Sequence, residues 1–183
     1  RFDPNDWRNG YPNPAFERAS ERDKAWMARI IARFSEPDLR ALVATGQFLR
    51  ERTRNELVRI LIGRQRRILE RYLTRVSPLT FPTTRGDLLC LRDVALEAGI
   101  RTERRYTALA YPGWPTERTL PLRAVREGDR ACVELPSDPG EEYIVVDVTA
   151  ETPGRERTGA ARVHLYWLGD GRYRAVGLER PDP

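Results

Sequence analysis

The chain has 183 residues, of which 40% are apolar, and a formal net charge of +5. This length fits one domain of ordinary size or two small ones, and the apolar content suffices for a buried core, so the composition excludes a wholly disordered protein. The sequence contains no run of 18 apolar residues, the length that a membrane-spanning helix needs. Two cysteines and one histidine exclude a disulfide-dense mini-protein, a four-cysteine zinc site and a multi-histidine metal centre.

The first 19 residues do not form a continuous helix, because three prolines interrupt them. Trp7, Tyr11 and Phe16 lie within the same stretch. Large aromatic side chains are seldom left in water, so we predict an extended arm laid over the body of the domain. The chain opens without a methionine or an apolar signal core, and we expect a fragment or a processed product whose compartment this opening does not define.

Two helices are predicted next. Ser20 with Asp23 three positions later resembles a capping box. Apolar residues then recur at helical spacing and predict a buried face: Trp26, Met27, Ile30, Ile31 and Phe34. Ser35, followed by a proline in the first turn, begins the second helix, and Gly46 fits the position at which helices commonly end.

A third, longer helix is predicted from Glu56 to Val76. The four residues 53–56 match the capping-box pattern, and Pro78 limits the helix at its other end. The segment from Arg50 to Arg75 holds nine arginines and three glutamates, a net charge of +6, which leaves −1 for the rest of the chain. The basic character is therefore local.

Four arginines on this helix form a candidate anion-binding site. Their spacing of three, four and four positions places them on one stripe, where like charges repel unless an anion or a carboxylate lies among them: Arg64, Arg67, Arg71 and Arg75. The partner would be nucleic acid, acidic lipid headgroups or acidic polysaccharide. The alternative is a solvated face partly neutralised by acids of the β-rich part. No aromatic platform or DNA-binding motif accompanies the stripe, which argues against sequence-specific nucleic-acid binding.

After Pro78, frequent prolines separate short runs rich in Val, Tyr and Leu, as in an all-β unit. The turn Gly169-Asp170-Gly171 joins the last two predicted strands as a tight hairpin, and a short helix is predicted over 93–99. The predicted strands are 88–91, 104–110, 131–135, 143–150, 162–168 and 173–178. We therefore predict an α+β protein: an arm and a cluster of about three helices over residues 1–78, then an antiparallel β unit, a small β-sandwich, over residues 79–183.

The sequence contains no complete catalytic set. His164 is the only imidazole, and it alternates outward on a predicted strand with no serine or cysteine motif beside it. Cys90 and Cys132 lie in apolar surroundings, which favours two small buried side chains and leaves a disulfide open. No phosphate-binding loop, kinase motif or spaced set of metal ligands is present, so we expect no cofactor and no metal.

Two stretches carry a resemblance. Tyr11-Pro12-Asn13-Pro14-Ala15-Phe16 precedes Glu21-Arg22-Asp23, Trp26, Ala28-Arg29-Ile30-Ile31 and Phe34-Ser35, and the chain closes on Tyr173-Arg174-Ala175-Val176-Gly177-Leu178-Glu179-Arg180. Both resemble the C-terminal region of large uncharacterised bacterial proteins, often exported, whose upstream portion looks like a distant relative of spore-coat or HipA-type kinases. The resemblance implies that residues 1–78 are the helical tail of that lobe. The residues that would bind nucleotide or metal lie upstream, so none is carried over.

Three functions follow as hypotheses. The first is a non-catalytic accessory or interaction module, the C-terminal part of a larger bacterial protein, which binds the upstream region of its parent or another protein. The second is an anion-binding module that uses the arginine stripe. The third is the C-terminal fragment of a kinase-like phosphotransferase, completed only by an upstream lobe. For this chain in isolation we expect no enzymatic activity.

Overall fold

The computed structural model describes residues 2–6, 8, 10–100, 103–115, 117–154 and 157–181. The chain divides into two compact units, Arg1–Leu73 and Thr74–Pro183, called here the helical unit and the β unit. The sequence predicted the boundary between the two parts after residue 78, five residues later than the observed division. Helices make up the regular structure described in the first unit and antiparallel strands dominate the second, so the chain has the predicted α+β fold.

Serine caps start two helices of the helical unit, as predicted. The Ser20 hydroxyl accepts the Asp23 N–H at 3.2 Å while the Asp23 carboxylate accepts the Ser20 N–H at 2.9 Å. Ser35 and Asp38 make the same reciprocal pair. The helices described in this unit are α1 (Pro14–Glu17), α2 (Glu21–Ile31), α3 (Glu36–Ala44) and α4 (Glu51–Tyr72).

Both capping boxes make the helical unit sensitive to acid. Hydrogen bonds from the side chain and backbone of Ser20 lower the pKa of Asp23 below its ordinary 3.8, and those from Ser35 do the same to Asp38. A carboxyl whose pKa is lowered by folding stabilises the folded state fully above its ordinary pKa. That stabilisation is lost as the pH falls through the lowered value.

We expect helical circular dichroism to decline as the pH falls below about 4, and a double variant, Asp23→Asn with Asp38→Asn, to show a shallower decline. Asp6→Asn, at an exposed position outside the helices, is the matched control and should follow the wild-type curve. An identical acid response in the double variant would contradict the role given to the two caps.

The long helix α4 differs from its prediction at both ends. It begins at Glu51 behind Arg50, whose side chain has no acceptor and makes no cap. The Thr53 N–H bonds the Arg50 carbonyl at 3.1 Å, so Thr53 already lies inside the helix. The capping box predicted over 53–56 was therefore wrong, and Glu56 instead pairs with Arg59 at 2.5 Å. The helix ends at Tyr72, whereas the prediction extended it to Val76.

The apolar face of α2 does not pack as the sequence predicted. Ala25 and Ala28 are its fully buried residues, whereas Trp26 is 58% exposed and Met27 47%. Small side chains let the neighbouring helix approach closely, and this turns the larger ones outward. After α3, the residue with positive φ is Gln47 rather than Gly46, although an added Cβ at Gly46 would meet the Phe48 ring at 2.7 Å.

The β unit contains two antiparallel sheets, ordered β1-β2-β6-β5 and β4-β3-β7-β8-β9. All six predicted strands are present, and a short helix α5 (Val94–Glu97) follows β2 as predicted. The strands are β1 (Leu79–Arg85), β2 (Leu88–Asp93), β3 (Arg105–Pro112), β4 (Leu120–Leu122), β5 (Ala124–Glu127), β6 (Arg130–Glu134), β7 (Tyr143–Glu151), β8 (Ala161–Trp167) and β9 (Tyr173–Glu179).

Three strands, β1, β4 and β5, were not predicted, and the first two of them contain proline. In β1, Pro82 lies where the register with β2 shifts between Thr80 and Thr83, and Phe81 has φ +50°. Proline in a sheet is confined to edges and bulges, and β1 is an edge strand, so the exception has a physical reason. Pro121 in β4 likewise lies at the edge of the second sheet.

Alternating side chains of both sheets meet in one core. Leu89 and Val133 of the first sheet lie in the same cluster as Val146 and Leu165 of the second, all fully buried. The predicted β-sandwich is thus present. The three residues of the hairpin between β8 and β9 all have positive φ, as that turn requires: Gly169, Asp170 and Gly171.

The two cysteines form a disulfide, the alternative that the sequence left open. Cys90 of β2 lies directly opposite Cys132 of β6, with a Cα–Cα distance of 4.1 Å. Their neighbours Leu89 and Val133 point into the core, so the disulfide lies on the outer face of the four-stranded sheet. The favoured prediction of two separate buried cysteines was wrong, because apolar flanks do not reveal strand register.

Candidate functional site

The predicted arginine stripe is divided in the structure. Arg64, Arg67 and Arg71 lie on α4, whereas Arg75 lies beyond the end of the helix and belongs to the β unit. Arg75 is exposed and lies outside the helices described in the structure. Three of the four predicted residues therefore share one helical row, since the helical spacing that defined the stripe stops at Tyr72.

The remaining arginines contact the N-terminal arm. The Arg64 guanidinium lies over the Phe2 ring at 5.3 Å, and Arg67 Nη1 donates to the Phe2 carbonyl. Arg71 Nε donates to Asn5 Oδ1 at 2.5 Å. The described part of the arm is thus held along the arginine row by two hydrogen bonds and a cation–π contact.

A carboxylate of the same unit neutralises Arg71. Its Nη1 lies 2.8 Å from Glu21 Oε2, and its side chain is only 18% exposed. Partial burial raises the pKa of Glu21, but the hydrogen bond and charge of Arg71, with Lys24, hold it below its ordinary value overall. For Arg71 the neutralising acid is on α2 and not in the β-rich part, where the alternative interpretation had placed such acids.

The arm does not shield its aromatic residues as predicted. Tyr11 is 87% exposed and Phe16, on α1, is 58% exposed, while Trp7 lies outside the described residues. These side chains border an open groove of about 1170 Å³ in the helical unit. We call it the apolar groove, and its main apolar lining is Tyr11, Phe16, Trp26, Met27, Ile31 and Ile68.

The apolar groove has a basic rim. Arg8, Lys24 and Arg64 line it, together with Glu17 and Asp23. The Asp23 carboxylate is already engaged in the Ser20 capping box. The whole helical unit carries 16 basic and 10 acidic residues, a net charge of +6. An apolar groove with two exposed arginines, Arg8 and Arg64, on its rim is the most distinctive feature of this positively charged unit.

Sequence reasoning missed this groove while naming several of its residues. Trp26, Met27 and Ile31 recur at helical spacing, a pattern shared by a buried helix face and by an open binding face. Periodicity identifies the face, but only packing decides what covers it. One sequence feature could have indicated an open binding face: several large apolar residues lie close together within the strongly charged segment 17–33.

His164 is half-buried on the outer face of the five-stranded sheet. Its Nδ1 lies 2.5 Å from the Tyr143 hydroxyl, and its Nε2 lies 3.5 Å from Glu179 Oε1. An added Cβ at Gly177, the cross-strand neighbour of His164, would meet the ring at 3.3 Å, so glycine provides the space for this ring. The three polar side chains therefore form a row across neighbouring strands.

This row lacks the properties of an activated nucleophile. Burial, followed by the charges of Tyr166 and Glu179, raises the pKa of the Tyr143 hydroxyl, so the hydroxyl keeps its proton at neutral pH. Glu179 is 64% exposed, so the row lies at the surface and not in a closed pocket. We interpret it as a structural cross-strand cluster.

None of the helices described in the structure is long and apolar enough to cross a membrane. Comparisons with protein-family models, with curated proteins and with solved structures found no match to this chain. The physical features of the two units therefore carry the functional proposal.

Proposed function

We propose that this chain is a non-catalytic interaction module whose helical unit binds a segment of a partner protein that presents apolar side chains beside carboxylates. The apolar groove is the single observation that carries the proposal. A segment of the parent protein upstream of this chain, or of another protein, would supply the same chemistry.

The exposed aromatic groups supply the binding energy. Burying a large apolar side chain is worth about 1.5–3 kcal/mol, and Tyr11, Phe16 and Trp26 are each more than half exposed around one groove. Contiguous apolar patches of this kind mark interaction sites on proteins. Interfaces depend most on a few central aromatic side chains, and Trp26 is the candidate for that role.

The charge around the groove defines the partner. A net charge of +6 on the helical unit disfavours a second copy of the chain, since two like-charged surfaces would repel. The same charge attracts a segment that carries carboxylates and accelerates its association at low salt. Arg8 and Arg64 are exposed on the rim, where they can meet such carboxylates.

The contacts of the arginine row support the anion-binding alternative less well. Arg67 and Arg71 already bond the arm, and Arg71 also pairs with Glu21. The kinase-like alternative stays a prediction, which an assay of phosphoryl transfer by the longer parent protein tests.

A random peptide library displayed on phage and selected on the full chain tests the proposal. We expect enrichment of peptides that combine aromatic or aliphatic residues with Asp and Glu. Trp26→Ser should weaken an enriched peptide about thirtyfold, the loss for a central interface residue worth about 2 kcal/mol. Leu49→Ser is the matched control, because Leu49 is fully exposed and does not line the groove.

Charge is tested separately. Arg8→Gln should weaken the peptide and reduce its salt dependence, whereas Arg18→Gln, exposed outside the groove, should do neither. No enrichment, or equal affinities of the wild type and Trp26→Ser, would overturn the proposal. Concentration-dependent dimerisation lost in Trp26→Ser would overturn the choice of occupant in favour of a second copy.

A further inference from the structure

Three potential metal ligands converge on the outer face of the four-stranded sheet. The Sγ atoms of Cys90 and Cys132 and a carboxylate oxygen of Glu127 all lie within 4.8 Å of one another. Cys90 is partly exposed and Glu127 is exposed, while Cys132 is fully buried. One side of this group is thus open to solvent.

Strand pairing fixes the relative positions of the three side chains. Cys132 lies opposite Cys90 on one neighbouring strand and opposite Val125 on the other, and Glu127 follows Val125 by two residues on the same face. Two sulfurs bound to one tetrahedral zinc ion lie about 3.8 Å apart, given Zn–S bonds of about 2.3 Å. Directly opposed strand residues can span that distance with side-chain rotation alone.

The local charge suits a bound cation held by thiolates. Arg130 lies directly opposite Glu127 and two residues before Cys132 on the same face, where a positive charge favours the thiolate form of a nearby cysteine. Arg92, opposite Arg130, is paired with Glu97 at 2.6 Å. Glu127 makes no ion pair with any residue in the described part of the chain, so its carboxylate is available.

We propose that the reduced form of this protein holds a thiophilic divalent cation such as Zn²⁺ through Cys90, Cys132 and Glu127, with water as the fourth ligand. A dithiol reductant gives two electrons and two protons to the disulfide and is itself oxidised to a disulfide. The metal ion then displaces the two thiol protons. Disulfide and metal therefore exclude each other at one site, and the site is independent of the apolar groove.

Cadmium titration of the full chain tests the site, with Cd²⁺ as a probe whose thiolate complexes absorb in the ultraviolet. After phosphine reduction and removal of the reagent, the wild type should bind one Cd²⁺ with a thiolate charge-transfer band, and Zn²⁺ should displace it. The oxidised chain should show no band. Cys132→Ser should lose most of the band, because only one of the two thiolate ligands remains.

Glu127→Gln separates a three-ligand site from adventitious binding to two thiols. It should weaken Cd²⁺ about tenfold or more without loss of fold, since Glu127 is exposed. Glu134→Gln is the matched control, on the same sheet face but paired with Arg123. Equal affinities of Glu127→Gln and the wild type would overturn the proposal, as would absence of the band or loss of native circular dichroism on reduction.

Discussion

Replacing Arg104 with alanine is expected to destabilise the β unit by about 3–5 kcal/mol. Arg104 Nε lies 3.0 Å from Asp93 Oδ2, and the two side chains are 1% and 0% exposed. Removal of the guanidinium leaves a carboxylate buried without its counter-charge, and this outweighs the loss of the contact itself. Urea unfolding should show a lower midpoint with an unchanged slope.

Asp93 connects several elements, which is why its partner matters. Its Oδ1 caps α5 by accepting the N–H groups of Ala95 and Leu96, and its Oδ2 accepts the Tyr106 hydroxyl at 3.1 Å. Burial, together with the Asp93 charge, raises the pKa of Tyr106, so that hydroxyl remains a donor at neutral pH. The cluster links the end of β2 to β3, and so joins the two sheets.

Arg123→Ala is the matched control for this prediction. Arg123 also pairs with a carboxylate, that of Glu134 at 3.1 Å, but its side chain is 72% exposed. Exposed ion pairs contribute about 0–1 kcal/mol, so this variant should unfold almost as the wild type does. Equal destabilisation by the two substitutions would contradict the special role of the buried pair.

Reduction of the disulfide is expected to lower the free energy of unfolding by about 4 kcal/mol. The bond joins residues 42 positions apart, and a cross-link of that span removes this much loop-closure entropy from the unfolded chain. Urea unfolding with and without reductant measures the effect. A double variant, Cys90→Ser with Cys132→Ser, should be insensitive to reductant, and equal stability of oxidised and reduced wild type would contradict the prediction.

Local features of the fold could be predicted from sequence and distant ones could not. The caps at Ser20 and Ser35 need only residues three positions apart, and the hairpin around Asp170 needs only its glycines. The disulfide depends on register between strands that are distant in sequence. Strand β1 was missed because its proline is tolerated only at an edge, and sequence does not say which strand lies there.

In the candidate sites, too, local features could be predicted from the sequence and contacts between distant residues could not. Helical spacing identified Arg64, Arg67 and Arg71 as one row, but not the arm that contacts them. The apolar residues of α2 were visible, yet their exposure depends on Ala25 and Ala28 taking the buried positions. Short-range patterns therefore determine which side chains share a face, and tertiary packing determines whether that face is core or binding surface.

Chemical-shift mapping with an enriched peptide tests the interaction module most directly. With the isotopically labelled full chain, the account predicts saturable shift changes concentrated at Trp26, Met27 and their neighbours in the apolar groove, with the β-sandwich signals unchanged. Changes confined to the β-sandwich, or the same changes in Trp26→Ser, would contradict it.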